Sequence, residues 1–171
     1  MRAMKIFMIV LLVLVVLIGG VFAVGSLMGG NKDLGEAPDF TAVTLAGEDF
    51  TLSRRYQTAG AALVFFDRNQ VKSAALLQNL DGLTKSKDVR FILVAETETD
   101  AAALTVYLKE NQVTPDDIIL DTDQKIAKLY NVTTCPVTYF INAKGSVRAV
   151  TLANLSPGNV EKYLGYLQEE R

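Results

Sequence analysis

Two short apolar runs constrain this chain more than any other feature. Ala61–Phe66 reads AALVFF, and residues 89–95 read VRFILVA. Runs of this length and make-up suit strands buried on both faces, which belong to parallel sheets covered by helices. Between them, Val71, Ala74, Ala75, Leu77, Leu80 and Leu83 recur at close to helical spacing. The chain therefore contains a β-α-β unit, and the fold must be of the α/β class.

The flanking sequence extends that unit. Residues 40–45 alternate, Ala46-Gly47-Glu48 is a turn, and residues 49–52 resume the extended pattern, so a β-hairpin is expected first. Thr99 or Asp100 can cap a helix running to about Asn111. A short strand is expected over 118–120. A helix follows over 123–130, with Ile126, Leu129 and Tyr130 facing inward. Residues 137–142 and 147–152 read as strands joined through Gly145, where a positive φ is expected. Ser156 and Pro157 open a last helix, whose stripe is Val160, Tyr163, Leu164 and Leu167. The order ββ, βαβα, βα, ββα gives a mixed central sheet flanked by helices.

The N-terminus is of another kind. Residues 6–24, IFMIVLLVLVVLIGGVFAV, carry no charge and no proline. About twenty apolar residues span a bilayer. Arg2 and Lys5 precede the run, and basic residues favour the cytoplasmic side. One transmembrane helix, with everything after it extracytoplasmic, is the favoured reading. A cleaved signal peptide ending near Ala23 is the rival, and it places the domain on the same side. The expected organisation is a cytoplasmic N-terminus over 1–5, an anchor over 6–24, a Gly-rich tether over 25–35 and one folded domain over 36–171.

Charge and residue inventory exclude several functions. The net charge is −2, and Arg2 and Lys5 are the only charges before the tether, so the remainder carries −4. A nucleic-acid partner would require a basic surface, and none is expected. There is no histidine, which removes Ser-His-Asp triads, Cys-His pairs and His-containing metal sites. No metal and no cofactor are expected. The acids Glu96, Glu98, Asp100, Asp121 and Asp123 lack an EF-hand ligand pattern and read as caps and loop residues. Cys135 is the single cysteine, so no disulfide can close within the chain.

Three segments together resemble a known family. They are Ala37-Pro38-Asp39-Phe40 with the hairpin after it, the strand ending in Phe65-Phe66, and residues 120–145, LDTDQKIAKLYNVTTCPVTYFINAKG. On these segments the outer domain resembles the thioredoxin-like superfamily. It is most similar to membrane-anchored TlpA/ResA-type thiol-disulfide oxidoreductases and the AhpC/TSA-like redoxins. The resemblance implies a thioredoxin-like fold, a cis peptide bond before Pro136, and a groove there that takes an extended partner segment like an added strand.

The family's chemistry is disulfide exchange at two cysteines three residues apart, set at a helix N-terminus. That register places Gln70 and Ser73 at the cysteine positions, and the peroxiredoxin register falls near Ala75. Neither supplies a thiol. Asn69 is expected to cap the helix, with Arg68 and Lys72 as solvated charges. The expectation is a redox-degenerate binding or accessory protein, with Thr134, Pro136, Gln70 and Ser73 lining the groove. The alternative is a monothiol oxidoreductase or peroxidase-like protein whose catalytic residue is Cys135, next to the missing pair.

Overall fold

The computed structural model describes residues 33–70, 80, 83, 89–152, 155 and 157–168. The chain divides into Met1–Lys32 and Asp33–Arg171, and the described residues all belong to the second unit. The expected anchor over 6–24, most of the helix expected over 71–84, and with it Lys72 and Ser73, lie outside the described residues, as does Ser156.

Seven strands and four helices follow one another along the described chain. A hairpin of β1 (Thr41–Val43) and β2 (Asp49–Thr51) leads into α1 (Leu52–Ala59). Strands β3 (Ala61–Phe66) and β4 (Arg90–Glu96) come next, then α2 (Ala101–Glu110), β5 (Asp117–Asp121) and α3 (Lys125–Leu129). The hairpin β6 (Val137–Ile141) and β7 (Val147–Thr151) precedes α4 (Pro157–Gln168). The five-stranded sheet has the order β5-β4-β3-β6-β7. Strands β3, β4 and β5 are parallel, and β6 and β7 add antiparallel.

The two apolar runs are the sheet's centre. All six residues of β3 are buried, as are Phe91 to Ala95 of β4. Alternate residues feed two cores. Ala62, Val64, Phe66, Phe91 and Leu93 pack with Leu104, Phe140 and Val160 on one face. Leu63, Phe65, Ile92 and Val94 pack with Phe50, Tyr130, Cys135 and Tyr139 on the other. At about 25 cal/mol per Å² of apolar surface removed from water, these layers supply most of the drive to fold.

Two differences from the sequence reading have plain causes. Helix α1 begins at Leu52, where extended structure was expected. Its sequence, LSRRYQTA, buries only Leu52 and so has no apolar stripe to announce it. Its start is set by a distant group: Asp39 Oδ1 accepts from the Ser53 amide at 2.9 Å, because Thr51 makes no side-chain cap. Leu129 was expected to face inward but is exposed, since α3 is a single short turn that buries only Ile126 and Ala127.

The domain also begins earlier than residue 36. The Leu34 amide donates to Val147 O at 2.9 Å, and the Val147 amide donates to Gly35 O at 2.8 Å. The last tether residues thus lie along β7. At the opposite edge the Leu45 amide donates to Ile118 O, closing the hairpin turn onto β5.

Candidate functional site

The C-terminal ends of parallel strands are where α/β folds gather polar loops. Here three carboxylates stand at the ends of three neighbouring strands. Asp67 follows β3, Glu96 ends β4 and Asp121 ends β5, with Glu96 and Asp121 paired in register. The loop before β6 reaches the same end, since Phe65 pairs with Val137. That loop carries Thr134, Cys135 and Pro136.

Each carboxylate fixes a different loop. Asp67 Oδ1 accepts from the Asn69 amide at 2.9 Å, and Oδ2 accepts from Gln70 Nε2 at 3.2 Å. The Gln70 amide also donates to Asp67 O at 3.1 Å. Residues 67–70 therefore form a self-closed turn in which Gln70 is turned back onto Asp67. The helix that Asn69 was expected to cap lies outside the described residues; within the turn, the Asn69 amide donates to Asp67. Asp121 is buried and accepts from the Ile126 amide at 3.1 Å and the Ala127 amide at 2.8 Å. It caps α3 from outside the helix, because Gln124 at the N-cap sits in the left-handed region and makes no side-chain cap.

Glu96 holds the thiol. Cys135 Sγ donates to Glu96 Oε1 at 2.9 Å, and Cys135 is only 2% exposed. Burial pushes the Cys135 thiol pKa far up, the hydrogen bond to Glu96 raises it further, and the negative charges of Glu96 and Asp67 add to this. Glu96 is half-buried and its own carboxyl is raised, first by burial. The Cys135 bond opposes that rise, while Asp121 and Asp67 add to it. A reactive thiolate needs nearby positive charge or a helix N-terminus, and the described groups acting on Cys135 are acidic.

Arg68 differs from the solvated charge expected of it. Its Nε lies 2.9 Å from Glu98 Oε2, and Glu98 is buried. Glu98 Oε1 also accepts from the Thr99 and Asp100 amides. The ion pair ties the turn after β3 to the turn after β4, and Asp100 caps α2 by accepting from the Ala103 amide. The acidic residues are thus engaged as caps and loop staples. Among the described residues no group of three possible metal ligands comes together.

The predicted site residues are placed as follows. Thr134 is exposed, and Cys135 and Pro136 are buried behind it. The Cys135–Pro136 peptide bond is cis. Gln70 is partly exposed and joins this end of the sheet through Asp67. Ser73 lies outside the described residues. Sequence reasoning noted Glu96 only as one of several acids. Its place at the end of a central strand, one strand away from the Cys135 loop, becomes evident once the order β4-β3-β6 is known.

The first family segment joins the site from below. Tyr130 Oη donates to Pro38 O at 2.7 Å, and Tyr139 Oη donates to Tyr130 O at 2.8 Å. Tyr139 meets both Phe65 and Tyr130 edge-on and Phe65 is tilted against Tyr130, with ring centroids 5.0–5.8 Å apart. Residues 37–40 and 130–139, distant in sequence, are thereby one packed unit.

This sheet order, with a cis proline opening β6, defines a thioredoxin-like fold. It is shared by a secreted disulfide oxidoreductase of Mycobacterium tuberculosis homologous to E. coli DsbE, with a TM-score of 0.62 and 21% identity over 74% of this chain and 94% of that one. StoA from Bacillus subtilis gives a TM-score of 0.60 and 20% identity, covering 74% and 96%. The exposed lipoprotein thioredoxin Etrx1 of Streptococcus pneumoniae gives 0.60 and 19%, covering 75% and 98%. No curated protein matches the chain closely. Residues 35–150 match the AhpC/TSA family, and the chain belongs to that family.

Proposed function

We propose that this protein is a redox-degenerate member of its family, held at the outer face of a membrane by residues 6–24, which binds an extended segment of a protein partner at the Thr134–Pro136 groove. The observation that carries the reading is the state of the would-be active site. Gln70 falls at the first cysteine position of the family register with its carboxamide bonded to Asp67, and the only thiol in the chain is buried and donates its S–H to Glu96. Disulfide exchange needs an attacking thiolate and a resolving thiol. The chain offers one thiol and holds it protonated, which counts against the monothiol reading of Cys135.

Thr134 is exposed at the end of the loop before β6, and an extended segment docking there would be held by backbone hydrogen bonds and selected by side-chain pockets. The extracytoplasmic placement rests on Arg2 and Lys5 before the apolar run. A setting near thiol-redox or cytochrome-assembly systems is an analogy from fold alone.

Two measurements on the full chain test the reading. Insulin reduction by wild type should be at background, and Gln70→Cys with Ser73→Cys should raise it well above. Backbone amide shifts on adding a carboxymethylated, unfolded model polypeptide should map to Thr134, Cys135 and Gln70. Turnover by wild type, or shifts confined to another face, would refute the proposal.

A further inference from the structure

The loss of a cysteine pair explains why the chain cannot run a two-thiol cycle. It leaves open why the remaining thiol, beside the same groove, should be inert. We infer that Glu96 is a thiol-silencing residue: by accepting the Cys135 S–H bond inside the sheet's end, it keeps the sulfur a neutral thiol. This assignment goes beyond the binding role and stands whether or not a partner segment docks.

The geometry is specific. Glu96 is the last residue of β4, a central strand with five consecutive buried residues before it, so its Cα cannot drift. Its Oε1 lies 2.9 Å from Cys135 Sγ. Cys135 is buried in the apolar layer that also contains Phe65, Tyr130, Tyr139 and Val137. A thiolate formed there would lose water, and the described charges that act on it are acidic. It would also face the Glu96 carboxylate at contact distance, with Asp67 from the β3 turn adding repulsion. Asp121, from β5, acts on Glu96 in turn.

The other carboxylates do not substitute for Glu96. Asp67 is committed to Asn69 and Gln70, and Asp121 to the first amides of α3. Glu96 is the carboxylate whose hydrogen-bonded donor is the thiol itself. Burial hides the sulfur from bulky reagents, while the charge of Glu96 acts on the proton. These two effects are separable by experiment, because hindered access scales a reaction at every pH, whereas a charge displaces its pH profile.

The test is alkylation of Cys135 by iodoacetamide, read by mass spectrometry on the full chain between pH 6 and 10. The thiol first gives its proton to solvent. The thiolate then forms the S–C bond as iodide leaves. Cys135 is the only cysteine, so the mass shift reports on it alone. Wild type should label slowly, with the rate still climbing at pH 10. Glu96→Gln, of the same shape without the charge, should label at least about tenfold faster at pH 8, with the whole profile displaced toward lower pH. A Glu96→Gln profile that coincides with wild type, or that is raised but bends toward no plateau by pH 10, overturns the assignment and leaves burial as the whole cause. The infrared S–H stretch of wild type decides the matter should the variant fail to fold. A stretch lowered by hydrogen bonding to a carboxylate supports the assignment, and one at the free-thiol position overturns it.

Discussion

Removing the Asp121 carboxylate should cost the domain much of its stability, although Asp121 touches no ligand-facing atom. Asp121→Ala would strip the acceptors from two amides, Ile126 N at 3.1 Å and Ala127 N at 2.8 Å. Both of those residues are buried, and Asp121 itself is 3% exposed, so water cannot readily replace it. An unsatisfied buried donor costs about 1–3 kcal/mol. Two such donors give about 4 kcal/mol, a large part of the 5–15 kcal/mol that a domain of this kind holds. At about 3 °C per kcal/mol the thermal midpoint should fall by about 12 °C. Asp121→Asn keeps one acceptor oxygen and should lose less than half as much. The assay is thermal unfolding by far-UV circular dichroism on the full chain and both variants. A midpoint for Asp121→Ala within about 2 °C of wild type would falsify the reasoning, since ordinary surface changes stay within about 0.5 kcal/mol.

Gly60→Ala should be among the harshest small substitutions: Gly60 has φ +78°, and an added Cβ would stand 2.8 Å from Ile141 O, a backbone atom that cannot step aside. The expected loss is about 3 kcal/mol in urea unfolding, and a neutral result would mean that the α1–β3 connection relaxes freely. The pH dependence of Glu96 supplies another check. Its folded pKa lies above its unfolded value, so between the two the folded state binds more protons, and Glu96 makes stability fall as pH rises through that window. Glu96→Gln removes this term, so the variant's stability relative to wild type should be greater at pH 7 than at pH 4. A relative stability that declines with pH would show the sign to be wrong.

The elements that bury a repeating apolar pattern were legible in the sequence. AALVFF and FILVA announce β3 and β4 because a strand covered on both faces is apolar along its buried length. The hairpin at Gly145 was legible because its φ of +90° favours glycine. Helix α1 was not legible, since its start depends on Asp39, fourteen residues from the amide it accepts. The site divided the same way. Gln70, Thr134, Cys135 and Pro136 followed from a register laid on motifs. The partners that decide their chemistry did not: Glu96 is thirty-nine residues from Cys135, and Glu98 is thirty from Arg68. Spacing along the chain carries no trace of a contact made across a sheet.

The scaffold and the chemistry of this fold rest on separable sets of residues. Pro38, Tyr130 and Tyr139 form a hydrogen-bonded, edge-stacked unit that seats the loop before β6, and none of them needs a thiol nearby. Asp121 fixes its flanking turn through backbone amides alone, and Asp67 holds the Asn69 amide in addition to its bond from the Gln70 side chain. A nucleophile pair can therefore be replaced at little structural cost while the groove keeps its shape. Glu96 is the exception. A carboxylate placed on the one remaining sulfur opposes ionisation, and a site kept for thiol chemistry would gain from a cation or a dipole there instead. Its position fits the proposed reading of this end of the sheet as a non-covalent one.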